Sequence, residues 1–105
     1  MTNDRLSILV THVDGAAVLA LQGEVDSFNA NCLRQSVVAI CELGVPVVLD
    51  MHLVTYMDSS GISALIAVSE AAHELRSSVH VTRASDQVRR VLSLTGLDNH
   101  FLAEP

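Results

Sequence analysis

The run Pro46-Val47-Val48-Leu49-Asp50 is short, apolar and uninterrupted, and it stands between two stretches whose apolar residues recur at helical spacing. A run of this kind is too short for a helix and fits a strand covered on both faces, as strands of parallel sheets are. Upstream, Leu33, Val37 and Ile40 fall at i, i+4 and i+7, which predicts a helix over about residues 28–43. Downstream, Ile62, Leu65, Val68, Ala72 and Leu75 recur at steps of three or four and form the clearest amphipathic pattern in the chain. Helix, buried strand, helix is the unit of an α/β layer structure, and the rest of the chain must pack onto it.

The flanks extend that unit. Leu6, Ile8 and Val10 alternate along residues 6–12, residues 17–22 form a second apolar run, and Asp14-Gly15 lies between them, the signature of a hairpin. Asp26 or Ser27 is placed to cap the first helix, and Gly44 stands where a left-handed residue ends it before Pro46. Met51 to Met57 reads as a connecting segment, Val79 to Thr82 as a short strand, and Ser85 as the cap of a third helix with Val88, Val91, Leu92 and Thr95 inward. Gly96 ends that helix, and Leu97 to Phe101 is compatible with a last strand. The order β-β-α-β-α-β-α predicts one α/β domain over residues 1–105, with a mixed sheet of four to five strands, an N-terminal hairpin, three or more helices and right-handed crossovers.

Composition narrows what such a domain can do. A chain of 105 residues has room for one core, and with half its residues hydrophobic but only two Phe, one Tyr and no Trp, that core is built of aliphatic side chains. Twelve acidic residues against six arginines leave a net charge of −6, which disfavours nucleic acid, since phosphate neutralisation needs a positive face. The N-terminus has neither the basic region nor the apolar stretch of a signal peptide, and no run approaches the roughly 20 residues of a membrane span, so a cytoplasmic protein is expected. Cys32 and Cys41 lie nine positions apart on one predicted helix, on opposite faces, and read as packed thiols rather than a redox pair.

The segment most able to carry function is Asp58-Ser59-Ser60-Gly61, at the entry to the amphipathic helix. Asp58 can serve as N-cap, which leaves the Ser59 hydroxyl among N–H groups at a helix start, a natural anion site. The same four residues also describe an ordinary capped helix start, so pattern alone leaves both readings open.

Four segments together resemble one family. Gly23-Glu24-Val25-Asp26, Val47-Val48-Leu49-Asp50, Val54-Thr55-Tyr56-Met57-Asp58-Ser59-Ser60-Gly61 and Val91-Leu92-Ser93-Leu94-Thr95-Gly96-Leu97 look like a STAS domain of the anti-sigma-factor-antagonist family, in the family's order and across nearly the whole chain. The resemblance implies a domain that binds an anti-sigma factor, itself a serine kinase of the histidine-kinase-like ATPase fold, and thereby frees a sigma factor. It implies that the kinase phosphorylates Ser59, that a metal-dependent PP2C-type phosphatase reverses this, and that Asp26, Asp58, Ser59, Ser60 and Gly61 form the partner surface. The chain is then a substrate of enzymes and not one itself, with no cofactor. His52 departs from the pattern, at a position where a small polar residue is expected.

Other chemistries have weaker support. Ser59 as a catalytic nucleophile would need a base and an oxyanion hole, and the chain lacks Gly-x-Ser-x-Gly. Glu70-x-x-His73 has the spacing of a carboxylate-bridged metal helix without the second copy such sites need, and His12, His52, His80 and His100 share no ligand spacing, so no metal is expected. Phosphate-loop signatures are absent. Two other readings from different classes stay open: a constitutive STAS adaptor in a transporter or stress-sensing complex, and a sensor of a nucleotide or other small molecule.

Overall fold

The computed structural model describes residues 5–102. Strands β1 (Leu6–Val13) and β2 (Ala16–Val25) form the hairpin, followed by helix α1 (Ala30–Cys41), β3 (Val47–Met57), α2 (Ser59–Glu74), β4 (Val79–Thr82), α3 (Asp86–Leu94) and α4 (Asp98–Leu102). The four strands make one sheet in the order β1-β2-β3-β4, antiparallel between β1 and β2 and parallel across the other two pairs. Asp14 and Gly15 take φ of 51° and 83°, the left-handed pair that a tight hairpin requires.

The core lies on one side of the sheet. Leu6 and Ile8 of β1, Ala17, Leu19 and Leu21 of β2, Val47 and Leu49 of β3, and Val79 and Val81 of β4 are all buried. Leu33 and Val37 of α1 and Leu65, Val68 and Ala72 of α2 join the same cluster, and the two helices pack along each other. Val48, between the buried Val47 and Leu49, is only partly covered, so β3 begins with one face closed and the other partly open, not buried on both as its sequence suggests. Helix α3 packs against β3 and α4 against β4.

Three further expectations are corrected. Met51–Met57 is not a connection but the second half of β3, which runs for 11 residues. Two register shifts against β2, between Ala20 and Gln22 and between Gly23 and Glu24, break the simple alternation that would have marked it as a strand. Leu97–Phe101 is not a fifth strand: α4 forms there and seats Phe101 in the core. Helix α1 starts at Ala30, and neither Asp26 nor Ser27 is its side-chain cap; its N-cap position is Asn29, which makes no side-chain cap bond. Ser85 does cap α3, accepting from the Val88 N–H at 3.2 Å.

Gly23 ties β1 to the end of β2. Its φ is 113°, and a Cβ there would lie 2.0 Å from the Arg5 carbonyl oxygen, which accepts the neighbouring Glu24 N–H at 2.7 Å. Only a residue without a side chain lets the two backbones meet this closely.

Candidate functional site

β2 and β3 run parallel and finish together, with Val25 paired to Met57. The Asp58 N–H still donates to the Val25 carbonyl at 3.3 Å, so Asp26 and Asp58 leave the sheet side by side at the carboxyl ends of adjacent parallel strands. In open α/β sheets this is where binding sites collect.

Asp58 is extended, with φ −101° and ψ −169°, and its Oδ1 accepts from the Ser60 N–H at 2.9 Å and the Gly61 N–H at 3.3 Å. It is therefore the N-cap of α2, as its place in the sequence predicts. The cap orients the turn so that Ser59 is exposed, Ser60 is partly so and Gly61 is buried. A Cβ on Gly61 would lie 2.4 Å from Met57 Cγ and 3.0 Å from Val25 Cγ1, so its bareness lets α2 settle directly on the two strand ends.

Asp26 is placed differently from Ser59. It is 5% exposed, and its carboxylate accepts from Arg5 Nη1 at 2.9 Å and from the Phe28 N–H at 2.9 Å. Burial pushes its carboxyl up, but the hydrogen bond from Arg5, the Phe28 N–H, the Arg5 charge and the Asn29 backbone outweigh this and hold it below the ordinary range. Asn29, 1% exposed, closes the loop: its Oδ1 accepts the Asp26 N–H at 3.0 Å and its Nδ2 donates to the Glu24 carbonyl at 2.9 Å. Asp26 thus holds the loop together and is itself almost wholly covered.

Helices α1 and α2 leave a shallow groove of about 410 Å³ beside this site, lined among others by Ser27, Ala30, Arg34, Ser60 and Ser63. Two residues of the neighbourhood have no local sequence signal. Arg5 is 21 positions from Asp26, and Phe28 stands 82% exposed with the Arg5 guanidinium 5.3 Å from its ring centre. Only the fold brings them together.

The other candidates fall elsewhere. His52 sits exposed on β3, with Nδ1 2.9 Å from Asp50 Oδ1, and Arg83 holds the other Asp50 oxygen through both Nε, at 3.2 Å, and Nη2. Glu70 and His73 are exposed on α2, and among the described residues no group of His, Cys, Asp and Glu is arranged to hold a metal. A larger groove of about 680 Å³ lies between α2, β4 and α4, with Ser69 Oγ and His100 Nε2 2.7 Å apart at its edge. Sequence spacing does not foretell that pair, which is 31 residues apart. Cys41 is buried, which pushes its thiol up against a hydrogen bond with Ser77, while Cys32 is exposed on the opposite side of α1. No helix among the described residues is long and apolar enough to cross a membrane.

Comparison with known proteins places this geometry. The family model for the STAS domain matches residues 7–105. The chain is 30% identical over 99 residues to the anti-sigma-F factor antagonist RsfB of Mycobacterium tuberculosis, covering 93% of this chain and 80% of that protein. Its structure is similar to the crystal structure of an anti-sigma factor antagonist from Mycobacterium paratuberculosis, with a TM-score of 0.82 and 31% identity over 95% of this chain and 86% of the other. It also shares its fold with the Bacillus cell fate determinant SpoIIAA in the phosphorylated form, at a TM-score of 0.69 and 19% identity, covering 87% of this chain and 85% of that one.

Proposed function

The chain belongs to the STAS domain family, and from that premise we propose that it is an anti-sigma-factor antagonist whose hold on its partner is set by a phosphoryl group on Ser59. The observation that carries this reading is the position of Ser59: exposed, at the first turn of α2, on a platform fixed by Asp58 and by the ends of two paired strands. An enzyme can reach this hydroxyl without unfolding anything.

The energetics favour a switch in binding over a switch in fold. A phosphoryl group brings about −1.5 to −2 charges, and the dipole of α2 would offset this by about 0.3–1 kcal/mol. The Ser60 and Gly61 N–H groups are already held by Asp58, so they do not draw the new group inward. These terms are small against a domain stability of roughly 5–15 kcal/mol. In a docked interface, an unprovided dianion costs on the order of 2–5 kcal/mol, enough to separate partners. Unmodified, the domain docks the Asp26 loop and the start of α2, with Ser60 partly exposed and Gly61 buried beneath it as support, onto an anti-sigma factor that is a serine kinase of the histidine-kinase-like ATPase fold. Phosphorylation then releases it, and a PP2C-type phosphatase restores it. The phosphorylated form of SpoIIAA, a protein of the same fold, supports the reading.

The test uses the histidine-kinase-like ATPases of the source genome, each incubated with the chain and ATP, with the phosphate located by mass spectrometry. Phosphate is expected on Ser59. Ser59→Ala is expected to bind like the parent and Ser59→Asp about tenfold or more weaker, with both melting within a few degrees of the parent; equal binding by the two variants overturns the switch.

A further inference from the structure

Phe28 is the feature of the site that folding does not account for. A phenyl ring 82% exposed gains nothing from the core, yet the loop that presents it is tied down by the hydrogen bonds of buried side chains. Asp26 accepts its N–H, Asn29 bonds both to Asp26 and back to Glu24, and Asn29 and Asp26 are themselves buried. Arg5 completes the arrangement, binding Asp26 at 2.9 Å and lying over the ring at 5.3 Å. The ring is therefore held in water by a fixed frame.

We propose that Phe28 is the apolar anchor by which the chain docks onto its anti-sigma factor, inserting its ring into an apolar socket on that partner while Arg5 supports it from the other side. The inference rests on the functional reading given above and adds to it the residue that supplies affinity. Three observations converge on this occupant rather than another. The ring and Ser59 rise from loops that leave the sheet side by side, since Asp58 still bonds to Val25 one residue before Asp26. Ser27, next to Phe28, and Ser60, next to Ser59, both line the groove between α1 and α2, so the two loops border the same depression. Finally, a pre-set aromatic side chain loses little freedom on docking, which is the character of residues that dominate protein interfaces. The switch and the anchor then flank one depression on neighbouring loops, and a phosphoryl group on one loop acts against contact made by the other.

The experiment is titration calorimetry of the full chain against the ATPase of the source genome that the parent binds, with Phe28→Ala, Phe28→Tyr and Phe28→Leu. Phe28→Ala is expected to weaken binding about tenfold or more with an unchanged melting temperature, and Phe28→Tyr to stay within about threefold of the parent. Because the chain contains no Trp, Phe28→Trp carrying a fluorinated indole gives a second readout: its fluorine resonance is expected to shift on adding the partner. Binding of Phe28→Ala within about twofold of the parent, or an unmoved resonance in the saturated complex, overturns this inference and leaves the Ser59 switch standing. A parent chain that binds none of those ATPases overturns the switch, and the anchor with it.

Discussion

Asp58 performs two tasks with one oxygen. Its Oδ1 takes the N–H groups of Ser60 and Gly61, and in doing so it both starts α2 and fixes the backbone turn that carries Ser59. Asp58→Ala is expected to lower stability by about 1 kcal/mol, which in a domain of this size is a fall of about 4–8 °C in thermal unfolding, while Asp58→Asn keeps most of the cap. Gly23 is the more sensitive position. Alanine there combines a positive φ with a Cβ 2.0 Å from a main-chain oxygen that cannot swing aside, so Gly23→Ala is expected to cost about 2–5 kcal/mol, read as a lower urea midpoint. At this scale the sequence was informative wherever a residue acts on its near neighbours: Asp58, Ser85 and the Asp14-Gly15 turn all do so. It was silent on Arg5 and Phe28, because their roles depend on a strand and a loop that only the folded sheet brings side by side. It misjudged Asp26, whose carboxylate bonds Arg5 and Phe28 instead of capping α1.

Among the elements, α3 shows most directly how pattern becomes packing. Val88 and Leu92 are fully buried, while Leu94, two residues on, is 81% exposed. Leu92→Ala is expected to lose about 2–5 kcal/mol and Leu94→Ala to stay within about 0.5 kcal/mol, a contrast that chemical denaturation of the two variants measures. Helices α1, α2 and α3 were legible because their apolar stripes are long enough to define a period. Two elements were not, for separate reasons. The second half of β3 has buried Met51, Val54 and Met57 at intervals of three, since register shifts against β2 rotate successive side chains off strict alternation. The five residues of α4 hold too few apolar positions to distinguish a turn of helix from a strand, and burial of Phe101 decides the outcome in the tertiary structure.

On the scale of the whole molecule, two buried carboxylates link stability to acid. Arg5 binds Asp26, and Arg83 and His52 bind Asp50, joining the residue before β1 to the loop after β2 and β3 to the residue that follows β4. In each case burial raises the carboxyl and its partners more than offset this, so the folded value lies below the ordinary 3.8. A lowered folded value means that the stabilisation is complete above pH 3.8 and is lost as pH falls through the range beneath it. Asp50→Asn is therefore expected to be less stable than the parent at neutral pH and to show a shallower decline on the acid side, as seen in melts across pH. The spatial order β1-β2-β3-β4 also repeats the order of synthesis. No strand has to be inserted between two that have already met, so a chain emerging from the ribosome can add each strand to a finished edge, and because every pairing joins strands adjacent in sequence, contacts stay comparatively local, which favours rapid assembly.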